Sequence, residues 1–164
     1  MKTVIKLKNP SSERLNKVLN HLLKFGYDDF VVLSTFNKEI ENNIAEKMWN
    51  DGAKIVFLAP IETEDTYTSL LNIRGSLLDG FFLIYGEEID TFDLKKAYDC
   101  HKNSTMLTTL LSTETKMIGA FFESEIFDYM SKKMNFEREV IARVFEDHEA
   151  QIYLSNNFKL ILEK

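Results

Sequence analysis

The run Phe81-Phe82-Leu83-Ile84-Tyr85, closed by Gly86-Glu87-Glu88, decides how the rest of the chain is read. Five apolar side chains in succession leave no polar face, so the strand they form is covered on both sides, as in a parallel sheet held between helices. Working towards the amino terminus, Lys54-Ile55-Val56-Phe57-Leu58 and Phe30-Val31-Val32-Leu33 are runs of the same kind, and a shorter one, Val4-Ile5-Lys6-Leu7, stops at Asn9-Pro10. Helical spacing fills the intervals. Leu15, Val18, Leu19, Leu22 and Leu23 form one stripe behind Ser11 and Ser12, ending at Gly26. Ile40, Ile44, Ala45, Met48 and Trp49 form a second stripe from Asn37 to Asp51-Gly52. Tyr67, Leu70, Leu71, Leu77 and Leu78 predict a third helix reaching Asp79-Gly80.

Towards the carboxyl terminus, Leu94, Ala97, Tyr98 and His101 stripe a fourth helix, and Met106 to Leu111 reads as a fifth strand. After Ser112 the rhythm changes to a strand at 117–122, helices at 123–131 and 135–146, and strands near 150–154 and 158–162. Regular β-α alternation means right-handed crossovers and helices on both faces. The expected fold is therefore α/β, a three-layer αβα sandwich around a mainly parallel, Rossmann-like sheet with an antiparallel strand, in a single domain spanning 1–164. Ligands of such sheets bind at the strand carboxyl ends.

The 164 residues, 45% hydrophobic and 28% charged, suit one buried core under a solvated surface. A net charge of −6 argues against nucleic acid as a partner, because backbone binding needs clustered Lys and Arg. Cys100 stands alone, so no intrachain disulfide and no cysteine metal cage can form. With no apolar leader and no run long enough to span a bilayer, the expectation is a cytoplasmic chain without a membrane partner.

The segment Phe81 to Ile89, followed by Asp93-Leu94-Lys95-Lys96 and His101-Lys102, resembles the middle of sugar-1-phosphate nucleotidyltransferases, whose strand ends Tyr-Gly-Asp or Asn-Gly-Asp before a helix opening Asp-Leu. Ile118-Gly119-Ala120-Phe121-Phe122 is similar to the Asn-Gly-Gly-Phe-Phe stretch of glucose-1-phosphate cytidylyltransferases, and Phe136-Glu137-Arg138-Glu139-Val140-Ile141 resembles their helix start. Gly26-Tyr27-Asp28-Asp29-Phe30-Val31 and Gly52-Ala53-Lys54-Ile55 resemble the entries to their second and third strands. The resemblance implies a nucleotide-diphospho-sugar transferase fold and a reaction joining a nucleoside triphosphate to a sugar 1-phosphate. It implies Glu87 as the ligand of a Mg²⁺ cofactor, and Thr66, Gly86, Gly119 and Glu137 as residues contacting a nucleotide or sugar phosphate. Ser11 and Ser12, opening the first helix near Lys6, Lys8 and Arg14, read either as a further phosphate contact through free N–H groups and the helix dipole or as ordinary capping beside solvated lysines.

Departures from the pattern are as informative. The family's Gly-Gly-x-Gly-Thr-Arg-Leu loop is replaced by Lys8-Asn9-Pro10-Ser11, which has no glycine to bring backbone N–H groups round a phosphate. Glu87 stands where the family has Asp, one methylene longer, and Glu64-Asp65-Thr66-Tyr67-Thr68 stands where the base is read. Only apolar residues around Leu160, Ile161 and Leu162 occupy the place of a second metal aspartate. A catalytically silent relative, working as an interaction or regulatory subunit by pairing with itself, is the competing expectation. Among local features, Glu87, Glu88 and Asp90 read either as a metal-assisted site or as a solvated acidic loop. His101, on an apolar stripe, reads as a packed core histidine. Tyr67, Phe92, Tyr129 and Phe158 line a groove or pack inside.

Overall fold

The computed structural model describes residues 1–7, 10–59, 66–130, 134–155 and 160–161, with Glu87, Leu160 and Ile161 described by backbone alone. Readings placed on Lys8, Asn9, Glu64, Asp65, Phe158 and Leu162 lie outside these residues.

Among the described residues eight strands form one sheet. In chain order the elements are β1 (Lys2–Ile5), α1 (Ser12–Lys24), β2 (Asp29–Leu33), α2 (Lys38–Asn50), β3 (Lys54–Leu58), α3 (Thr66–Asn72), β4 (Phe81–Ile84), α4 (Leu94–Lys102), β5 (Thr108–Ser112), β6 (Met117–Phe122), α5 (Ile141–Glu146), β7 (Ala150–Leu154) and β8 (Leu160–Ile161). Their order across the sheet is β3-β2-β1-β4-β6-β5-β7-β8. β1 to β4 run parallel, as do β5 and β7, whereas β6 is antiparallel to both neighbours and β8 is antiparallel to β7.

Alternation along each strand divides the core between two faces. Ile5, Phe30, Val32, Phe82 and Ile84 pack under Leu15 and Leu19 of α1, Met48 of α2 and Leu94 of α4. Val4, Val31, Phe81, Leu83 and Phe122 pack under Leu70 of α3 and Val144 of α5. The three expected layers are present. β1 is the pivot: its connection to β2 crosses one face, and the connection from β3 to β4 crosses the other, so a crevice opens at the carboxyl ends of β1 and β4.

Several boundaries differ from those read in the sequence. The first strand is Lys2–Ile5 rather than 4–7, and the fifth begins at Thr108, where its N–H first meets Glu149 O, rather than at Met106. The third helix stops at Asn72 and is followed by a separate 3₁₀ turn, Arg74–Ser76, with Gly75 weakening the helix at that point. Ser124–Tyr129 is a 3₁₀ segment instead of an α-helix, and 135–146 opens with a π turn, Phe136–Val140, before α5. Apolar periodicity locates a buried face without distinguishing these tighter and wider windings.

Candidate functional site

At the carboxyl end of β1, Lys6 leaves the sheet and its Nζ donates to Thr66 Oγ1 at 3.0 Å. Thr66, fully buried at the start of α3, donates onward to Glu137 Oε1 in the π turn. Tyr85, just past β4, places its hydroxyl beside Thr66 and Glu137 without a well-formed hydrogen bond to either; burial, then the Glu137 charge, hold its pKa far above the ordinary tyrosine value. Four elements thus converge on one polar chain. Next to it lies a cleft of about 370 Å³ between the ends of β1 and β2 and α3, lined by Lys6, Leu7, Leu33, Ser34, Thr35 and Ser69, with Pro10 at its rim.

The structure brings Thr66 and Glu137 together and leaves other expected residues apart. Ser11 is the exposed cap of α1, accepting from Arg14 N at 3.2 Å, and Ser12 faces a groove between α1 and α2. Gly86 is the extended residue after β4, where a Cβ would come within 2.8 Å of Glu88 Oε2. Gly119 lies inside β6 opposite Ile84, where a Cβ would stand 2.7 Å from Leu83 O. Glu87 opens the 3₁₀ turn Glu87–Thr91, and its side chain is outside the described atoms. Glu88 pairs with Lys116, whose hydrogen bond lowers the Glu88 pKa, and Asp90 pairs with Lys17 at 2.8 Å. The sequence places Lys6 and Tyr85 inside their strands and offers Lys6 as a cation near the start of the first helix. It signals neither the bond of Lys6 to Thr66 nor the enclosure of the Tyr85 hydroxyl.

No family model and no curated protein matches the chain. Solved structures match by fold. A Bacillus anthracis protein assigned as a glucose-1-phosphate thymidylyltransferase, solved with sucrose, aligns at TM-score 0.67 and 9% identity, over 94% of this chain and 87% of that one. The inositol-1-phosphate CTP transferase of T. maritima aligns at TM-score 0.65 and 9% identity, over 98% and 88%. The glucosyl-3-phosphoglycerate synthase of Mycobacterium tuberculosis, solved with Mn²⁺, UDP-glucose and phosphoglyceric acid, aligns at 0.61 and 8%, over 100% and 72%. The fold is that of the nucleotide-diphospho-sugar transferases.

These proteins' names span more than one reaction, so the chemistry of this chain rests on its own residues. Two further features lie away from the β1–β4 crevice. A larger hollow of about 610 Å³ opens among Phe25, Tyr27, Lys95 and Tyr98, beside the amino ends of β1 and β2. Size alone would favour it, but crossover geometry places ligands at the other end of the strands. The second feature is a buried polar set around His101, which is 2% exposed. Gln151 Nε2 donates to Thr109 Oγ1 at 2.7 Å, which leaves the Thr109 hydroxyl proton for His101 Nδ1 at 2.9 Å. His101 then carries its proton on Nε2, 3.4 Å from Glu123 Oε1, which also accepts from Lys102 at 2.8 Å. Burial pushes the His101 pKa down to about 4, against the pull of Glu123. The expected packed histidine is what the structure holds. Tyr67 and Phe92 are likewise buried, Tyr67 donating to Met130 O at 2.8 Å, while Tyr129 is half-buried. Among the described residues no helix is long and apolar enough to cross a membrane.

Proposed function

We propose that the chain is a nucleotidyltransferase-like protein of sugar-nucleotide metabolism, taking a nucleotide or sugar phosphate in the cleft at the carboxyl ends of β1 and β2. The observation that carries this is the placement of Lys6: a cation at the strand ends of a nucleotide-diphospho-sugar transferase fold, on the wall of a cleft whose 370 Å³ lies within the range of small-molecule sites. Ser34, Thr35 and Ser69 supply hydroxyls for a ribose or a sugar, and Leu7 and Leu33 supply apolar surface for a base. The buried Tyr85 hydroxyl has unspent hydrogen-bonding capacity close to Thr66 and Glu137, which a ligand hydroxyl would use.

If the chain turns over, an oxygen of the sugar 1-phosphate attacks the α-phosphorus of the triphosphate. The bond to the bridging oxygen breaks, and pyrophosphate leaves with the electron pair. Lys6 would neutralise phosphate charge after exchanging Thr66 for the ligand. A resident Mg²⁺ does not fit the described donors. Glu88 and Asp90 are held by Lys116 and Lys17, and among the described residues no three His, Cys, Asp or Glu side chains converge. Glu87, whose side chain lies outside the described atoms, is the one carboxylate of this loop without a described cation partner.

A second reading, a catalytically silent relative serving as an interaction or regulatory subunit, is favoured by the Lys6–Thr66–Glu137 chain, which occupies the cation that a phosphate would need. One experiment separates the two. Purified protein is incubated with CTP or UTP, Mg²⁺ and glucose 1-phosphate while pyrophosphate is measured, alongside nucleotide-dependent thermal shifts. Turnover that Glu87→Ala or Lys6→Ala abolishes supports the transferase. A thermal shift without pyrophosphate supports a nucleotide-binding relative that has lost transfer, and the absence of both signals overturns the nucleotide reading altogether.

A further inference from the structure

Among the described residues β3 is one edge of the sheet, and it lacks the devices that usually keep an edge from pairing. It is five residues long, its pairing with β2 runs without a bulge, and its one formal charge, Lys54, sits at its first position. The opposite edge among the described residues, β8, is described at Leu160–Ile161. Which groups β3 presents outward is fixed by one hydrogen bond. Lys54 N–H donates inward to Asp28 O at 2.7 Å, so Lys54, Val56 and Leu58 turn their backbone groups to β2, and Ile55 and Phe57 turn theirs to the free edge.

We propose that this edge pairs with the β3 edge of a second copy of the chain, antiparallel about a two-fold axis at Val56. The phase of the outward groups selects that register. With Val56 opposite Val56 as the non-hydrogen-bonded pair, Ile55 of each chain faces Phe57 of the other as a hydrogen-bonded pair, and four N–H···O bonds form. Side chains agree with the backbone. Ile55 against Phe57 is a β-branched–aromatic cross-strand pair, made twice, and the two Val56 side chains, each 52% exposed in the single chain, cover one another. Charge agrees as well. Lys54 falls opposite Leu58, so the two lysines lie roughly 13 Å apart along the ribbon, farther than a screening length of about 8 Å.

Trp49 extends the same surface. Lys47 of α2 turns to α1, its Nζ bonding Asn20 Oδ1 at 3.2 Å. Two residues further round the helix, Trp49 points away from α1, on the side of the free edge, and is 75% exposed. The pairing is self-complementary and so closes as a dimer rather than growing into a fibre. It stands apart from the proposed activity, because β3 carries neither Lys6 nor Glu137, and either conclusion can fail alone.

Sedimentation equilibrium at micromolar concentration tests it. The wild type is expected at twice the 19.1 kDa chain mass. Val56→Lys and Val56→Asp are each expected as monomers, with like charges forced face to face, and an equimolar mixture of the two is expected to regain the doubled mass. Far-UV circular dichroism checks that both variants are folded. Amide exchange on the wild type needs no variant: the Ile55 and Phe57 amides should slow with rising protein concentration, with Val56 unchanged. A monomeric wild type, a Val56→Lys protein that stays dimeric, or edge amides indifferent to concentration would overturn the proposal.

Discussion

Single side chains in this protein are decided by what happens when a polar group is closed off from water. Lys6, Thr66 and Glu137 satisfy one another in series at a crevice, whereas His101 is satisfied by Thr109 and Glu123 far from it. The consequence for His101 is a pH dependence of stability. Its folded-state pKa of about 4 lies below the ordinary 6.5, so on acidification the unfolded chain takes up the proton first. Its contribution is intact above 6.5 and is lost progressively towards 4. Urea unfolding across that window should show the wild type losing up to about 3 kcal/mol more than His101→Gln, a figure that follows from the size of the shift. Equal losses would mean that the Glu123 carboxylate beside the ring compensates a buried imidazolium in spite of the opposing Lys102 charge. Thr66 and Glu137 were legible as residues of interest from their motif, but Tyr85 was not. A tyrosine after an apolar run looks like one more core residue until its hydroxyl is seen to be enclosed.

Elements meet more closely than their sequence announces. β6 lies antiparallel against β4 and β5, and Gly119 is where it approaches β4, leaving 2.7 Å between a notional Cβ and Leu83 O. Backbone cannot yield there as a flexible side chain would. Gly119→Ala is therefore expected to cost about 1–3 kcal/mol, as overpacking does. Gly75→Ala, with nothing within 4 Å of its Cβ position, should stay within about 0.5 kcal/mol. Comparing urea midpoints of the two variants checks this, and similar midpoints would show that β6 shifts to make room. Glycine at 119 was read from a motif as a ligand contact. Its place inside a ladder, opposite a carbonyl, is a fact about strand pairing that no local pattern encodes.

For the molecule as a whole, the reversal of crossover direction at β1 makes the candidate site. α1 and α2 cover one face and α3 the other, so the carboxyl ends of β1 and β4 are left uncovered. Lys6 stands there, its N–H donating to Ile84 O at 2.8 Å and its side chain on the wall of the cleft between β1, β2 and α3. If the cleft takes phosphate, Lys6→Ala should remove most of the nucleotide-dependent rise in Tm. The unliganded Tm should move little, since Thr66 keeps Glu137 as a partner and a single partly buried hydrogen bond contributes about 1 kcal/mol. Differential scanning fluorimetry with and without CTP makes the comparison. An undiminished shift would place the nucleotide elsewhere, the hollow beside Tyr27 and Tyr98 being the next candidate.

By itself the sequence determined the class of fold. Continuous apolar runs at 30–33, 55–58 and 81–85, alternating with helical stripes, point to a sheet between helices, because burial period is a local property of the chain. The expected burial of 54–58 on both faces is not met: β3 is a half-exposed edge, which strand order decided. Only tertiary structure decided which polar residues meet. Lys6 and Thr66 are 60 residues apart and Thr66 and Glu137 are 71 apart, and strand order and crossover side, which are settled by long-range pairing, bring them within a hydrogen bond of one another.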